Sequence, residues 1–178
     1  MSIDVIASRI VDGDNFVKTI DRVHGSVHDG YHFTTGLSTT IVANSTYFIL
    51  VTAPNTAVEP HIQFNISAQA AATIGFYSAP TAASTGVVTY TPNNNNQRST
   101  EAATVTVKTV ASSDVTSTGD YLEGYAIGAN APPVRVGGDA ANRNEWILKT
   151  NTAYLFKLNS VSTNTITYNI SWYENGLV

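Results

Sequence analysis

Short runs of β-branched and aromatic residues, each ended by Gly, Pro, Asn or Ser, fill the chain from residue 31 onward. Such runs between turn-forming residues are typical of strands joined by turns. We predict ten strands: Tyr31–Thr35, Thr46–Ala53, His61–Ser67, Thr73–Tyr77, Gly86–Thr91, Ala103–Val110, Tyr121–Ile127, Trp146–Lys149, Ala153–Val161 and Thr165–Trp172. Because no helical pattern of about 10 to 15 residues separates them, we expect the strands to pair antiparallel.

Strict alternation of apolar and polar residues marks two of these strands. The apolar positions are Ile62, Phe64, Ile66 and Ala68 in one, and Ile166, Tyr168, Ile170 and Trp172 in the other. Alternation with a period of two places these side chains on one face of a strand, which we expect to face the core. The sequence therefore predicts an all-β fold, an antiparallel β-sandwich that is jelly-roll-like and carries an N-terminal arm.

The first 30 residues differ from the rest of the chain, because they hold many of its charged residues and two of its four histidines. We predict that residues 1–30 form an arm or short helix and that residues 31–178 form the sandwich domain. Asp14 could cap a helix with Phe16, Val17, Ile20 and Val23 on one face and Gly25 at its end. The alternative is an extended segment that lies on a neighbouring molecule.

Charged residues make up 12% of the 178-residue chain, against about 25% in typical soluble domains. A surface with so little charge provides little repulsion between copies, which favours a permanent assembly. The net charge is −4, and the nine basic residues are scattered along the chain. Nucleic-acid binding needs a concentrated basic patch, so we expect no nucleic-acid partner.

Several further classes of protein and site are disfavoured by the sequence. The chain has no cysteine, which excludes disulfides and thiolate metal sites. The N-terminus lacks the basic segment and apolar stretch of a signal peptide. The longest apolar run, Tyr47–Val51, is far shorter than the about 20 residues that cross a bilayer. We therefore expect no signal peptide and no membrane association.

Two polar segments, residues 92–100 and 128–143, separate predicted strands, and we expect both to be exposed loops. The first contains four consecutive asparagines, Asn93 to Asn96, which are good turn formers and too polar to bury. The simplest interpretation is a solvated loop. The alternative is a contact with a partner protein.

Three histidines, His24, His28 and His32, follow one another at intervals of four. On one helix they would share a face and could bind a metal. Gly25 and Gly30 interrupt the segment, however, and His32 opens a strand pattern. The alternative is that they make structural hydrogen bonds between the arm and the sandwich, and we expect no metal and no cofactor.

Candidate catalytic groups are sparse. Hydrolysis of a glycoside would require two carboxylates in one cleft, but the available ones lie in predicted loops or strand edges: Asp114, Asp120, Glu123, Asp139 and Glu145. Glu145 could serve a sugar site, but we expect Trp146 beside it to pack in the core. No nucleophile elbow and no phosphate-binding loop occurs. We expect no enzymatic activity.

Three parts of the chain resemble a group of capsid-associated structural proteins of tailed bacteriophages. They are Val23–Gly36 (VHGSVHDGYHFTTG), His61–Ser67 (HIQFNIS), and Asn144–Ser160 (NEWILKTNTAYLFKLNS) followed by Ile170–Gly176 (ISWYENG). The resemblance implies a small β-sandwich, made in the host cytoplasm, that decorates or cements the outside of a capsid. It also implies the major capsid protein and neighbouring copies of the chain, a homotrimer first, as partners.

A decoration protein needs contact surfaces rather than an active site. We predict contacts through the arm, the asparagine-rich loop and the second polar loop, with the candidate residues Phe16, Ile20, Arg22, Asn95, Arg98, Arg135 and Arg143. The alternative function is a carbohydrate-binding module or a receptor-binding fibre or tail component. In that case exposed aromatic residues such as Tyr121, Tyr125 and Trp146 would stack on sugar rings.

Overall fold

The structure is a computed structural model that describes residues 22–55, 58–83, 88–127, 134–137 and 145–174, with side chains described for 24–55, 58–83, 88–127 and 145–174. The elements, in chain order, are α1 (Arg22–His28), β1 (His32–Ile41), β2 (Ser45–Thr52), β3 (His61–Ala68), β4 (Ala72–Ser78), β5 (Thr81–Ala82), β6 (Val88–Tyr90), β7 (Asn93–Asn94), β8 (Thr106–Val110), a 3-10 turn (Ser112–Asp114), β9 (Val115–Ser117), β10 (Asp120–Ile127), β11 (Val134–Gly137), β12 (Trp146–Ile147), β13 (Ala153–Ser160) and β14 (Asn164–Tyr173). In these ranges, no helix has the length and apolar character needed to span a membrane.

The strands form two antiparallel six-stranded sheets that pack face to face, and β5 and β9 form a separate two-stranded sheet. The first sheet has the order β11-β3-β14-β1-β7, with β12 also beside β3, and the second has the order β10-β4-β13-β2-β8-β6. Early strands pair with late ones: β1 with β14, β2 with β13, β3 with β11 and β12, and β4 with β10. This nested pairing across two sheets is jelly-roll connectivity, and it confirms the predicted all-β sandwich.

The core lies between the two sheets. Every apolar position predicted from the alternation of β3 and β14 is buried. At the centre, Phe64 of β3 packs against Phe76 and Phe156 of the second sheet, with ring centroids 5.6 and 4.8 Å away. Complete burial of such a side chain stabilises a fold by about 1.5 to 3 kcal/mol, so packing holds the sheets together in a chain without cysteine.

All ten predicted strands have a counterpart, but β1 is longer than predicted, and the short strands β5, β7, β9 and β11 were not predicted. β1 continues beyond Thr35 to Ile41 and pairs with β14 along its whole length. Its additional residues include Gly36 and several Ser and Thr, which obscured the strand pattern. In the segment 128–143, predicted to be a loop, residues Val134–Gly137 form β11 and pair with β3.

The connection from β4 to β10 is an insertion that covers one side of the sandwich. Its strands β8 and β6 extend the second sheet beyond β2, and β7 joins the first sheet beside β1. It also covers the outer face of the second sheet, where Phe48, Val110 and Leu155 form a second apolar cluster against Ala82 and Val115. The insertion thus brings the asparagine-rich segment next to α1.

Candidate contact surface

Helix α1 ends in a fixed position against the sandwich. The Gly30 amide donates to the Val27 carbonyl at 3.1 Å and the Tyr31 amide to the Ser26 carbonyl at 2.9 Å, the hydrogen bonds of a Schellman motif. Gly30 has φ +80°, and a Cβ atom there would lie 2.2 Å from the Ser99 hydroxyl oxygen. The predicted helix end at Gly25 was therefore wrong, because the helix passes through Gly25 and ends at His28.

Residues 92–100, the asparagine loop, hold this helix end through their side chains. The Asn94 amide donates to the Gly30 carbonyl at 2.7 Å, and the Asn96 amide donates to the His28 carbonyl at 2.9 Å. The last carbonyls of a helix have no partner within it, so the asparagines supply the missing donors. The loop is more than a solvated turn, although Asn93, Asn95, Gln97 and Arg98 are exposed as predicted.

The seven predicted contact residues divide into three groups. The elements that carry Arg22, Asn95 and Arg98 meet at one end of the sandwich, where α1 contacts the asparagine loop. Arg135 lies in β11, opposite Ser67 of β3 and at the other edge of the first sheet. Phe16, Ile20 and Arg143 lie outside the described residues.

The three spaced histidines do not form one cluster. His32 opens β1 and is buried, and its Nδ1 lies 2.7 Å from the Asn95 side-chain nitrogen. Burial lowers the pKa of His32, since the charged imidazole loses hydration. His32 thus makes a structural hydrogen bond within the sandwich domain, and not the predicted one between the arm and the sandwich. His24 and His28 face each other on the exposed side of α1. Within the described ranges, no group of three or more ligating side chains could hold a metal.

Glu145, next to the edge strand β12, contacts side chains of the two inner strands β3 and β14. Its carboxylate pairs with His61 Nδ1 of β3 and accepts a hydrogen bond from the Tyr173 hydroxyl of β14. The His61 and Tyr173 rings stack with centroids 4.6 Å apart. The carboxylate considered for a sugar site is thus engaged by two neighbouring side chains.

The aromatic residues considered for sugar stacking lie on different faces. Tyr121 is 64% exposed and lies beside Tyr77, at 5.5 Å between ring centroids. Tyr125 and Trp146 are partly buried against the core, and the Trp146 indole N–H donates to Glu123 at 3.2 Å. The expectation that Trp146 packs with the core is confirmed, and these three rings form no common platform.

Glu174 is a buried carboxylate that the sequence analysis did not identify. It accepts hydrogen bonds from the Trp172 indole at 2.7 Å, the Val105 amide at 2.9 Å and the Thr104 amide at 3.0 Å. A buried tryptophan N–H needs an acceptor. The prediction that Trp172 is buried could therefore have directed attention to Glu174 as the nearby acceptor. Glu174 ties the segment after the asparagine loop to the end of β14.

The central part of the outer face of the first sheet carries polar, neutral side chains. Arg135 lies at its edge, opposite Ser67, and Glu145 lies at one end, beside His61 and Tyr173. We call this central part the outer sheet face; its described residues are Thr34, Gly36, Ser38, Thr40, Gln63, Asn65, Ser67, Thr165, Thr167, Asn169 and Ser171. Cross-strand hydrogen bonds join Ser38 to Thr167 at 3.0 Å and Thr34 to Asn169 at 3.3 Å. A shallow cavity of about 360 Å³ lies over Gly36. The side chains here are short and neutral, so another surface can approach closely.

A second cavity of about 360 Å³ opens at the opposite end of the sandwich from α1. It lies where β2 begins and β13 ends, and Ser45, Ala72, Ile127 and Ser160 are among its lining residues. No carboxylate or imidazole from the described part of the chain lines either cavity. The pair of carboxylates that hydrolysis of a glycoside would require is thus not found at these two cavities.

No family model, no curated protein and no solved structure matches this chain.

Proposed function

We propose that this protein is a virion structural protein that binds the outside of a bacteriophage capsid as a decoration or cement protein. The observation that carries the proposal is the outer sheet face, whose residues named above bear no charge and lie on β1, β3 and β14 between Arg135 at one edge and Glu145 at one end. Charged residues are depleted at the centre of protein interfaces, so this composition suits a surface that is covered in an assembly.

The attachment of α1 supports a role for the segment that precedes it. The asparagine loop fixes the last turn of α1 through the bonds to His28 and Gly30. Residues 1–21 precede this anchored helix in the sequence and include apolar residues such as Phe16 and Ile20. We propose that they add contacts to the major capsid protein or to neighbouring copies of this chain, with a homotrimer favoured.

Binding to a shell needs no tight individual contact. A capsid presents the same site many times, so an oligomer with several weak contacts gains affinity through effective concentration. The jelly roll provides a rigid body for such contacts, and this architecture also occurs in capsid and lectin domains. The proposal therefore places the protein on the capsid surface, with neither a cofactor nor catalysis in its role.

Co-sedimentation with shells of the cognate major capsid protein tests the proposal. The full-length chain is compared with a chain that lacks residues 1–21, which leaves α1 and the asparagine loop intact. We expect saturable binding by the full-length chain and weaker binding by the shorter one. Light scattering after gel filtration measures the oligomeric state of both.

Absence of binding by either chain would contradict the proposal. The exposed Tyr121 would then make a sugar-binding role the next hypothesis, tested with a glycan array and a Tyr121→Ala variant. Glycan binding by the isolated domain, lost in that variant, would support the alternative.

A further inference from the structure

Two imidazoles face each other on the exposed side of α1. The Nε2 atoms of His24 and His28 are 3.0 Å apart, and the ring centroids are 4.6 Å apart with an angle of 63° between the planes. Side chains four residues apart lie one above the other on a helix. This arrangement brings two metal-ligating nitrogens together at a surface where a small ion can reach them.

We propose that His24 and His28 form a bidentate site for a divalent transition metal, Cu²⁺ or Ni²⁺ in preference to Zn²⁺. This site goes beyond the proposed structural role and does not depend on it.

The separation of the two nitrogens favours this class of metal. Metal–imidazole bonds are about 2.0 to 2.1 Å long, so two bonds at a right angle place their nitrogens about 2.8 to 3.0 Å apart. A tetrahedral angle would place them about 3.3 to 3.4 Å apart at the same bond lengths. The observed 3.0 Å fits the right angles of square-planar or tetragonal sites, which are typical of Cu²⁺ and Ni²⁺.

The backbone beneath the pair is held in place before any metal binds. Asn96 donates to the His28 carbonyl at 2.9 Å, and the left-handed Gly30 ends the helix against Ser99. Ser26, between the two histidines, is completely buried. Binding therefore orders only the two side chains, which lowers its entropic cost.

Other described histidines are not part of the site. His32 is buried and hydrogen-bonded to Asn95, and His61 is paired with Glu145. The remaining coordination positions would be filled by water. The competing explanation for the short separation is a hydrogen bond between the imidazoles, with the N–H of one donating to the other.

Titration of the tag-free, full-length protein with Cu²⁺, Ni²⁺ and Zn²⁺ by calorimetry tests the proposal. Electron paramagnetic resonance of the Cu²⁺ form reports the ligating nitrogens. The variants are His24→Gln, His28→Gln and the double variant, all on an exposed helix face. We expect one Cu²⁺ per chain, two histidine nitrogens in the spectrum, and affinities in the order Cu²⁺, Ni²⁺, Zn²⁺.

The single variants distinguish one ion that is held by both imidazoles from ions that bind to each imidazole separately. If both imidazoles hold one ion, each single variant loses about tenfold or more in Cu²⁺ affinity, and the double variant is hardly weaker than either. The proposal is overturned if the double variant binds Cu²⁺ like the original chain, if each single variant keeps most of its affinity, or if Zn²⁺ binds most tightly. Circular dichroism checks that every variant is folded.

Discussion

The side-chain amide of Asn94 lies 2.7 Å from the carbonyl oxygen of Gly30 and donates a hydrogen bond to it. The same amide group donates to the Glu101 carbonyl at 3.1 Å. One side chain thus holds the end of α1 and the far side of the asparagine loop together. The asparagine loop, which belongs to the insertion between β4 and β10, thereby fixes the position of α1 at the end of the sandwich.

Replacement of Asn94 by Ala removes both donors and should lower the free energy of unfolding by about 1 to 3 kcal/mol, since the carbonyl of the buried Gly30 is left without this partner. Chemical denaturation measures the loss. Asn93→Ala is the matched control, because Asn93 is exposed in the same loop, and it should change stability by less than about 0.5 kcal/mol. Equal losses in the two variants would contradict the assigned role.

Replacement of Glu174 by Gln should lower the free energy of unfolding at least as much as replacement of Asn94 by Ala. The buried carboxylate accepts from Trp172, Thr104 and Val105, and an amide would put N–H groups against some of these donors. We expect a loss of about 3 kcal/mol, measured by chemical denaturation and by the fluorescence of Trp172. Glu101→Gln, at an exposed carboxylate, is the control. A Glu174→Gln variant as stable as this control would show that the carboxylate charge is not needed.

The hydroxyl of Tyr168 is buried beside those of Tyr47 and Tyr90, but makes no well-aligned hydrogen bond within the described residues. Tyr168→Phe should therefore leave the free energy of unfolding unchanged or raise it, since a phenyl ring removes an unsatisfied polar group. Tyr47→Phe, by contrast, breaks the hydrogen bond to Tyr90 at 3.3 Å and should cost about 0.5 to 1.5 kcal/mol. A larger loss for Tyr168→Phe than for Tyr47→Phe would contradict this assignment.

The fold should lose stability at alkaline pH through the same tyrosines. Burial, together with Tyr90, raises the pKa of Tyr47 to about 12, and burial also raises the pKa of Tyr168. The unfolded chain releases these protons near pH 10, at about the ordinary tyrosine pKa, while the folded chain retains them. The free energy of unfolding should therefore fall as the pH rises from about 10 to about 12.

Denaturation at several pH values measures this fall, and absorbance near 295 nm reports the ionisation of the tyrosines. The lowered pKa of Tyr90 acts in the opposite direction. The measured slope of the free energy of unfolding against pH is therefore the sum of the contributions of the three tyrosines. Tyr47→Phe should reduce the slope. A free energy of unfolding that is constant or rises over this range would contradict the prediction.

The fold could be predicted from the sequence where side-chain alternation carries the information. In β3 and β14, apolar residues at every second position predicted both the strands and their buried faces. The pattern failed in β1 beyond Thr35, where Gly36 and the following Ser and Thr lie on a sheet whose outer face is polar. It also missed β11, a short strand whose position depends on pairing with β3.

The candidate surface was less accessible to sequence analysis, because it depends on contacts between distant segments. Asn95 and Arg98 were identified as contact candidates, but the sequence contained no sign that Asn94 and Asn96 would hold the end of α1. Their partners, Gly30 and His28, lie more than 60 residues earlier in the chain. The neutral outer sheet face likewise becomes visible only when β1, β3 and β14 are placed side by side.

A single charge placed on the outer sheet face tests the central claim most directly. Thr167→Arg adds a cation at an exposed position of β14, and Thr73→Arg adds the same cation at an exposed position of β4 in the second sheet. Co-sedimentation with capsid shells compares both variants with the original chain. We predict that Thr167→Arg weakens shell binding while Thr73→Arg leaves it unchanged. Full binding by Thr167→Arg, or an equal loss in both variants, would contradict the outer sheet face as the binding surface.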